Sequence, residues 1–568
     1  MPDRNKQVAQ LLDAMGDALE IKGDNVFKIA AYRKVARSLA DLPRDVAEIA
    51  AEQKLREIPG VGEDIAKKIQ EFLDTGKVAS IDKEVESLPP GLFDILRIPD
   101  VGPKTVKRVF EELGIRSLDD FKKALESGAV AELPGMGDKK VAKILKGMHF
   151  KEKAGERMGI GGALPIAERI VAALKEATGI QRIEAAGSLR RWKETIGDID
   201  FVAVAADPAK VLKCFTELKS VSEVRGLGET KASIRWDDKV QVQLRAVKRE
   251  SWGAALAYFT GSKEHNIRLR AISLQHKLSL NEYGFLKGQK RIPVGTEEEL
   301  YGKLKMQFVP PELREDSGEI EAAVRHALPR LVDQKHIRGD IHMHTEHSDG
   351  LMTVEQVVTH ALALGYEYIA ITDHSMSAKY AHGIEPDRLK EQWQDIDAAQ
   401  KKHSKIRIFK AAEVDIKPDG SPDYPDAVLK KLDLVLVSIH QWGSKDVTDR
   451  ILKALSNPYV TGLAHPTGRL IGRREPYLVD LHKVMKAAAT GHKWMEINSH
   501  YMRLDLNDVH AREASKLGVK ISLGTDTHVE GEFANMRYGV HTARRAWLTP
   551  ADIVNCLPLS KFEKLLSR

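Results

Sequence analysis

The sequence predicts a multidomain protein with an all-α N-terminal region, a central α+β module and a C-terminal α/β barrel. The chain has 568 residues, which is too long for one hydrophobic core. The spacing of apolar residues changes twice, from short amphipathic helices to β-type runs, and then to an alternation of both. Of the 20 histidines, 16 lie after residue 335, which indicates that the last region uses imidazole chemistry.

The first two regions differ in their apolar pattern. In the N-terminal region, amphipathic helical segments are separated by Gly and Pro, at residues 8–19, 26–39 and 65–73. Near Gly162 the pattern changes to a helix over residues 165–177, followed by β-type runs at 201–204, 233–236 and 240–244. The mixture predicts an α+β module.

The C-terminal region alternates apolar β-type runs with helical segments. It follows a charged connector of helical pattern at residues 312–334. The β-type runs lie at residues 368–372, 407–409, 434–438, 460–463, 494–498 and 520–523. This alternation predicts a parallel barrel with its active site at the carboxyl ends of the strands.

Composition excludes several classes of protein. Cys214 and Cys556 cannot form a disulfide framework, and no apolar run approaches the roughly 20 residues that span a bilayer. The first residues have no signal-peptide core. A net charge of +6 does not by itself indicate nucleic-acid binding. We therefore expect a cytoplasmic, nucleoid-associated protein with no membrane partner.

Three short turns in the helical region repeat one theme. Residues 58–62 read Ile-Pro-Gly-Val-Gly, residues 98–102 read Ile-Pro-Asp-Val-Gly and residues 133–137 read Leu-Pro-Gly-Met-Gly. Glycine lets the backbone approach a phosphate, and the N–H groups that open the next helix favour an anion. One such turn is equally explained as a tight link between helices, but three resemble helix-hairpin-helix turns that grip DNA. The candidate DNA-binding residues are Gly60, Gly62, Val101, Gly102, Gly135 and Gly137.

The central module carries a nucleotide motif, Gly-Ser-Leu-Arg-Arg at residues 187–191, followed by Gly-Asp-Ile-Asp at 197–200. Asp198 and Asp200 are two apart, so a strand would place both carboxylates on one face. Such a pair can hold two Mg²⁺ or Mn²⁺ ions about 4 Å apart for phosphoryl transfer. Gly187, Ser188 and Arg191 are the candidate triphosphate contacts, with Arg190 as a further one.

The C-terminal region places imidazoles and carboxylates at the ends of its β-type runs. Mixed sets of this kind suit Zn²⁺, Mn²⁺ or Fe rather than Mg²⁺ or Ca²⁺. Six other histidines are interpreted as surface or hydrogen-bonded core residues: His347, His360, His403, His482, His492 and His510. The nine candidate metal ligands are His342, His344, Asp349, His374, Glu413, His440, His465, Asp526 and His528.

Together these motifs resemble the bacterial family X DNA polymerases, which are similar to DNA polymerase beta, fused to a PHP (polymerase and histidinol phosphatase) domain. The resemblance covers essentially the whole chain. It implies a helical 5′-phosphate-binding, lyase-like domain, a second helix-hairpin-helix subdomain, a nucleotidyltransferase palm, a small thumb, a linker and a distorted (β/α)7-type PHP barrel. The corresponding boundaries are residues 1–90, 91–155, 156–250, 251–315, 316–335 and 336–568.

The resemblance also suggests residue roles in the first half of the chain. Residues 27–34 and 58–73 are similar to the lyase-like domain, and its lysine falls on Lys68, which is otherwise a solvated helix lysine beside Lys67. Residues 258–262, Tyr-Phe-Thr-Gly-Ser, resemble the segment that screens the sugar of the incoming nucleotide. Without that motif, its two aromatic residues would be interpreted as core. The implied contacts to dNTP or template are Tyr258, Phe259, Gly261, Asn266 and Arg270.

One position departs from the family pattern. Family X enzymes carry a third catalytic aspartate on the strand where this chain reads Val-Gln-Val-Gln-Leu-Arg, and Gln243 stands in its place. An amide is neutral and cannot accept the proton of a primer 3′-hydroxyl. Asp237 and Asp238 are nearby but are interpreted as a turn between strands. We therefore expect Asp198 and Asp200 to bind metal and dNTP, and polymerase activity to be impaired.

For the barrel, the resemblance implies a site of three Zn²⁺ or Mn²⁺ ions with Glu413 as a bridge. It implies a 3′ to 5′ exonuclease that also incises abasic sites. Asp373, Asp415 and Arg469 are candidates for supporting the ligands or contacting phosphate. The expected partners of the protein are gapped or primed duplex DNA and dNTP, and it is expected to be a monomer.

Two other functions remain open from the sequence. The barrel is equally suited to a small-molecule phosphatase, against which the three DNA-binding turns argue. The whole chain is also compatible with a non-catalytic scaffold that binds gaps and recruits other repair enzymes. The complete set of nine ligands argues against a scaffold, since a scaffold has no need of them.

Overall fold

The computed structural model divides into two compact units, Met1–Gly155 and Glu156–Arg568, which are described separately. None of its described helices combines the length and apolar character needed to cross a bilayer. The residues that the structure describes are 4–40, 46–58, 60–96, 98, 101–133, 136–137, 140–141, 144–145, 157–180, 182–281, 284–288, 290–441 and 445–567.

The first unit is all-helical over its described residues, as predicted. One apolar core holds Leu12, Tyr32 and Ile69, and a second holds Val109 and Phe121. Two helices end at a glycine in the left-handed conformation, Gly76 and Gly114. Glycine suits these positions because a side chain there would be strained. The main helices are Arg4–Lys22, Val26–Ala40, Val46–Ala51, Glu63–Thr75, Ala79–Glu86, Gly91–Leu96, Pro103–Leu113 and Leu118–Glu126.

The second unit begins with a five-stranded mixed sheet, the palm. Its strand order is β2-β4-β7-β6-β5, with β4 parallel to β7 and the other neighbours antiparallel. The strands are β1 (Met158–Gly159), β2 (Arg182–Ala185), β3 (Thr195–Ile196), β4 (Asp198–Val204), β5 (Val221–Leu227), β6 (Lys231–Trp236) and β7 (Val240–Val247). Strands β1 and β3 pair separately. Helices Ile160–Thr178 and Pro208–Thr216 contribute to the core beneath the sheet.

The thumb packs beside the palm around a small antiparallel sheet. Its strands are β8 (Ser279–Asn281), β9 (Gly284–Lys287) and β10 (Lys290–Ile292), and its helices are Trp252–Thr260, Lys263–Gln275 and Glu297–Lys303. The charged connector forms only one short helix, Glu319–Val324. Its apolar residues Ile320, Ala323, Leu328 and Leu331 join the thumb core, so residues 316–335 are packed rather than extended.

The last region is a parallel barrel of seven strands in sequence order, which confirms the predicted architecture. The strands are β11 (Gly339–Asp340), β12 (Tyr368–Ile371), β13 (Arg407–Asp415), β14 (Leu434–Ser438), β15 (Gly462–Leu463), β16 (Trp494–Asn498) and β17 (Ile521–Gly524). A parallel bridge between Met343 and Thr527 nearly closes it. The accompanying helices are Val354–Ala363, Leu389–Lys402, Asp426–Leu429, Thr448–Leu455, Leu481–Thr490, Asp508–Lys516, Met536–Arg545 and Leu559–Leu566.

The palm and the barrel share apolar core. Leu504 and Tyr538 of the barrel are 3% and 5% exposed and belong to the palm cluster. Gly161 of the palm has no room for a side chain, since an added Cβ would lie 2.1 Å from the Tyr501 ring. Trp192 stacks on His541 with ring centroids 3.6 Å apart. The two domains therefore pack as one body.

Candidate active sites

The nine predicted ligands of the barrel converge at one mouth. Eight of them lie at or just beyond the carboxyl end of a strand, where a parallel barrel presents its functional side chains. Glu413 ends up at the centre of the group and is fully buried. His342 and His344 follow β11, His374 follows β12, His440 follows β14, His465 follows β15, and Asp526 and His528 follow β17. Asp349 comes from the loop after β11.

Glu413 is surrounded by imidazoles on both carboxylate oxygens. Burial by itself would raise its pKa, but the neighbouring histidines outweigh burial and hold the pKa well below its usual range. The carboxylate is therefore ionised and can bind cations on both sides. Oε1 lies 2.7 Å from His465 Nε2 and 3.4 Å from His440 Nε2; Oε2 lies 3.0, 3.5 and 3.6 Å from His374 Nδ1, His342 Nε2 and His344 Nε2.

The cluster fits divalent metal ions. Within the described residues, buried His342 Nε2 and His344 Nδ1 make no hydrogen bond. Their carboxylate neighbours lie 3.5 to 3.9 Å away, which is too long for a hydrogen bond but suits two ligands of one ion. Three groups have ligand atoms within 4.8 Å of one another: His344, Asp349, His374 and His528; His342, His344 and Asp526; His374, Glu413 and His440.

Buried carboxylates orient two of the ligand histidines. Glu496, on β16, accepts a hydrogen bond from His342 Nδ1 at 2.6 Å and another from the His465 backbone N–H at 2.8 Å. Asp415, expected as a supporting residue, lies 3.1 Å from His440 Nδ1. Such partners fix the ring orientation and tautomer of a ligand. Glu496 was missed in the sequence, although a lone acid inside the buried run Trp494–Asn498 was the available signal.

The other two supporting candidates lie away from the ligand atoms. Asp373 is 1% exposed and accepts hydrogen bonds from Thr345, Ser348 and Gln392, so it anchors the loop after β11. Arg469, expected near phosphate, instead donates to Glu194 of the palm at 2.7 Å and to the Leu504 carbonyl at 2.6 Å. Arg469 therefore stabilises the contact between the two domains, because a palm carboxylate lies beside its guanidinium.

The palm brings Asp198, Asp200 and Gln243 together. Asp200 on β4 is directly opposite Gln243 on β7, and Gln243 Nε2 donates to Asp198 Oδ2 at 3.2 Å. Burial and the neighbouring Asp198 raise the pKa of Asp200 to about 7, and the nearby charges of Lys231 and Arg245 only partly offset this rise. Asp237 and Asp238 have φ of +48° and +54° and form the turn between β6 and β7.

The nucleotide motif forms a one-turn helix, Gly187–Arg190, above β4. Gly187 has φ of +59°, and a Cβ there would lie 2.8 Å from Asp200 Oδ2, so only glycine allows this approach. Ser188 lies in the same turn. Arg190 is held by Glu297 and Thr260, which makes it a link between palm and thumb rather than a triphosphate contact.

Arg191 lies beside the predicted sugar segment. Its Nη1 donates to the Thr260 carbonyl at 2.5 Å, and its Nε donates to Glu315 at 3.0 Å. Gly261 has φ of +71°, and an added Cβ would lie 3.1 Å from Arg191 Nη1. A triphosphate at this position would therefore compete with Glu315 for the guanidinium.

The remaining nucleotide candidates follow the same segment. The Tyr258 and Phe259 rings meet edge to face at 5.3 Å, and Arg245 of β7 lies 4.7 Å over the Phe259 ring. Asn266 Nδ2 donates to the Tyr258 carbonyl at 2.7 Å, so it shapes this segment. Arg270 is exposed on the helix Lys263–Gln275.

The described residues of the three turns in the N-terminal unit share one hydrogen-bond pattern. In each turn the residue before the last glycine donates a backbone hydrogen bond to the residue three positions earlier, from Val61, Val101 and Met136 to Ile58, Ile98 and Leu133. The last glycines, Gly62, Gly102 and Gly137, accept the first bond of the next helix and have open space where a Cβ would be. Gly60 has φ of +90°. Gly135 lies outside the described residues.

Lys68, the predicted lyase lysine, lies beside an acid. Its Nζ is paired with Asp64 at 2.5 Å. Partial burial lowers its pKa, but the hydrogen bond to Asp64 and the Tyr32 hydroxyl outweigh burial, so the pKa of Lys68 is raised. The acid one helical turn earlier stabilises the charged amine.

The chain matches four family models along its length. A helix-hairpin-helix domain matches residues 3–78, and a SAM-like helix-hairpin-helix tandem matches residues 93–148. The DNA polymerase beta thumb matches residues 255–315, and the PHP domain matches residues 340–508. Fold and sites therefore define a beta-type nucleotidyltransferase joined to a PHP barrel.

The chain is similar to curated proteins at two scales. The DNA polymerase/3′-5′ exonuclease PolX of Bacillus subtilis (strain 168) is 35% identical over 99% of both chains. Probable phosphatases of Thermoanaerobacter sp. (strain X514) and Acetivibrio thermocellus are each 28% identical over 38% and 40% of this chain, and over 89% and 95% of their own length. The chain belongs to the PolX family, which confirms the resemblance found in the sequence.

Proposed function

We propose that this protein is a DNA-repair enzyme that removes nucleotides from DNA 3′ ends in its barrel and binds dNTP at a slow polymerase site in its palm. The observation that carries the proposal is the convergence of nine imidazole and carboxylate ligands on one mouth of the barrel, around buried Glu413. The full-length likeness to a DNA polymerase/3′-5′ exonuclease supports it. The place of action would be the cytoplasm, on chromosomal DNA.

The barrel ligands suit three divalent ions, Zn²⁺ or Mn²⁺ by the chemistry of the donor set. Ions bound there would lower the pKa of water and neutralise charge on the scissile phosphate and the leaving oxygen. Glu413 offers one oxygen to His440 and His465 and the other to His342, His344 and His374, which suits a bridging ligand. Glu496 and Asp415 hold two of the rings in place. The same site would incise DNA at abasic positions.

The palm would bind Mg²⁺ or Mn²⁺ with dNTP through Asp198 and Asp200. The Gln243 side chain donates a hydrogen bond to Asp198. Because this side chain is a neutral amide, it cannot receive a proton from a primer hydroxyl. Nucleotide insertion would therefore be slow, with Tyr258, Phe259, Gly261, Asn266 and Arg270 shaping the pocket. Arg191 is already paired with Glu315. A triphosphate that binds the Arg191 guanidinium would therefore compete with the Glu315 carboxylate.

The N-terminal turns would grip the DNA backbone without reading its sequence. Their last glycines have open space, so a phosphate can approach the backbone N–H groups of the helices that follow. The substrate would be gapped or primed duplex DNA, held by a monomer. Lys68 is the candidate for the lyase role, with its amine paired with Asp64.

The test is an assay on duplex DNA with a one-nucleotide gap, with Mg²⁺ or Mn²⁺ and with or without dNTP. The expected result is metal-dependent loss of nucleotides from the primer 3′ end, and slow insertion that is best with Mn²⁺, which binds carboxylates more tightly. Absence of any primer degradation with metal-loaded protein would contradict the proposal.

A small-molecule phosphatase is a second candidate, because the similar probable phosphatases match this chain over 232 and 241 residues, about the length of the barrel region. Comparing hydrolysis of histidinol phosphate with hydrolysis of a primed duplex at equal concentration separates the two. Faster release of phosphate from the small molecule would favour the phosphatase. We expect the duplex to be preferred, since the helix-hairpin-helix turns supply phosphate contacts that a free phosphomonoester cannot use.

A further inference from the structure

Three side chains at the barrel mouth belong to none of the metal-binding groups. Tyr380 comes from the loop after β12, Arg474 from the loop after β15, and Arg503 from the loop after β16. We call Tyr380, Arg474 and Arg503 the rim. None of them is needed to complete a ligand set, so their position calls for another role.

Tyr380 is exposed although it is a large aromatic residue. Its relative exposure is 61%, while its ring centroid lies 6.3 Å from that of His374 and 6.0 Å from that of His440. An aromatic ring held in water contributes little to the core. Beside a phosphodiesterase centre, its free face is available to a nucleobase, since every base has a face that can stack.

The loop that carries Tyr380 is tightly held. Ala378 and Ala381 on either side are fully buried, and the Ser377 N–H donates to Asp423 at 2.7 Å. A Cβ on Gly383 would lie 1.9 Å from the Ser375 carbonyl oxygen, so the loop closes on itself with no space for a side chain. The ring is therefore presented to solvent by a packed backbone.

The two arginines bring positive charge to the same mouth. Arg503 Nε lies 3.3 Å from Asp526 Oδ2, at the edge of the ligand cluster. Arg474 Nε donates to the Gly468 carbonyl at 2.9 Å, and the Arg474 guanidinium lies near Arg503 and Tyr380. Two guanidinium groups that repel each other beside a metal cluster are stabilised when an anion lies between them, and guanidinium geometry matches phosphate.

We propose that the rim binds the 3′-terminal nucleotide of a DNA strand, with Tyr380 stacking on its base and Arg474 and Arg503 holding the adjacent phosphates. This inference rests on the nuclease function proposed above and names the part of the strand that the barrel recognises. Stacking on a base face does not depend on which base is present, so the rim selects an unpaired terminus rather than a sequence.

The test compares wild type, Y380A and Y380F on two single strands that differ only at the 3′ end, one with a normal nucleotide and one with an abasic sugar. Wild type should hydrolyse the normal end with a kcat/KM about tenfold higher, on the scale of losing one stacked base. Y380A should bring the ratio of the two kcat/KM values close to one. Y380F keeps the ring and should keep the ratio, and bound metal should be equal in all three proteins.

The arginine contact is tested by the salt dependence of KM. Replacing Arg474 by alanine should flatten the slope of log KM against log salt by about 0.7, the value for one phosphate contact on a single strand, and Arg474→Lys should restore most of it. An unchanged slope in R474A would overturn the phosphate contact.

The outcomes separate this inference from the function on which it rests. If the wild type degrades DNA and Y380A keeps the wild-type ratio of normal to abasic ends, the base contact is wrong while the nuclease stands. If metal-loaded wild type degrades neither strand, the nuclease proposal fails, and the rim proposal fails with it.

Discussion

The palm site and the barrel site both gather polar side chains from neighbouring parallel strands, but they differ in how many elements supply them. The palm takes Asp198 and Asp200 from one strand and Gln243 from its neighbour. The barrel takes nine ligands from strands and loops around its circumference. Gln243 therefore replaces one of only three palm side chains, whereas all nine predicted ligands of the barrel are present.

The two sites also differ in what holds their side chains. In the barrel, Glu496 and Asp415 orient ligand histidines, and Asp373 anchors the loop after β11. In the palm, Gln243 makes a hydrogen bond to Asp198, and the Asp198 carboxylate helps to raise the pKa of Asp200. The comparison teaches that the barrel histidines are oriented by buried acids, whereas the two palm carboxylates lie close enough to disfavour each other's charge.

The largest expected effect is the loss of nuclease activity on changing a barrel ligand. His344→Ala or Asp526→Ala should reduce the rate of primer degradation by more than about 100-fold. Losing a metal ligand should cost more than losing a residue that only holds a ligand in place, which typically costs about 10- to 100-fold. Duplex binding in a gel-shift assay should be nearly unchanged. His347→Ala is the matched control, because His347 is paired with Asp395 outside the cluster. Nuclease at wild-type level in either ligand variant would move the activity elsewhere.

The palm should respond in the opposite direction. Gln243→Asp should raise single-nucleotide insertion at a gap at least tenfold, because a positioned base typically contributes about 10² to 10⁴ in rate. The dNTP affinity should change little, since the new carboxylate acts mainly on the transition state. The measurement belongs in a His344→Ala background, which preserves the product.

Gln241→Asp is the control for added charge in this experiment, because Gln241 lies on the same strand opposite Asp198. It should leave insertion slow. Brisk insertion by the unchanged palm with Mg²⁺, or no gain in Gln243→Asp, would mean that another residue completes the site.

A smaller effect is expected from the acid behind His342. Glu496→Ala should weaken metal binding or activity by about 10- to 100-fold, the usual cost of losing the partner of a ligand histidine. Glu496→Gln, which keeps an acceptor for His342 Nδ1, should fall between. Titration of metal-free protein with Zn²⁺ or Mn²⁺ measures this directly, and equal affinity in all three proteins would show that the pair is not needed.

The smallest effect should be at the triphosphate. Arg191→Ala should weaken dNTP binding by roughly 1 to 3 kcal/mol, the scale for a charged hydrogen bond. Lys193→Ala, which removes a nearby positive charge from the same segment, should have less effect. Fluorescence titration with a labelled dNTP and Mg²⁺ measures both, and unchanged affinity in Arg191→Ala refutes the contact.

Local sequence patterns predicted the architecture well. The alternation of β-type runs and helices predicted a parallel barrel, and the resemblance to the PHP domain implied its seven strands. The position of histidines at strand ends located the residues that meet around Glu413. The spacing of Asp198 and Asp200 predicted their shared face. These features depend on residues close in sequence, where strand and helix periods determine direction.

Features that depend on distant partners were not predictable. Arg190 appeared to be a triphosphate contact, yet it pairs with Glu297, 107 positions away. Arg469 pairs with Glu194, 275 positions earlier. The short-range pattern around each residue cannot reveal which opposite charge the fold will bring beside it.

The apolar contact between Leu504, Tyr538 and the palm ties the packing of the barrel to the presence of the palm. Removing the palm would expose these side chains and leave Arg469 without Glu194. Gln243 lies outside this apolar contact. A substitution at Gln243 can therefore change the palm site while the packing between the two domains stays in place.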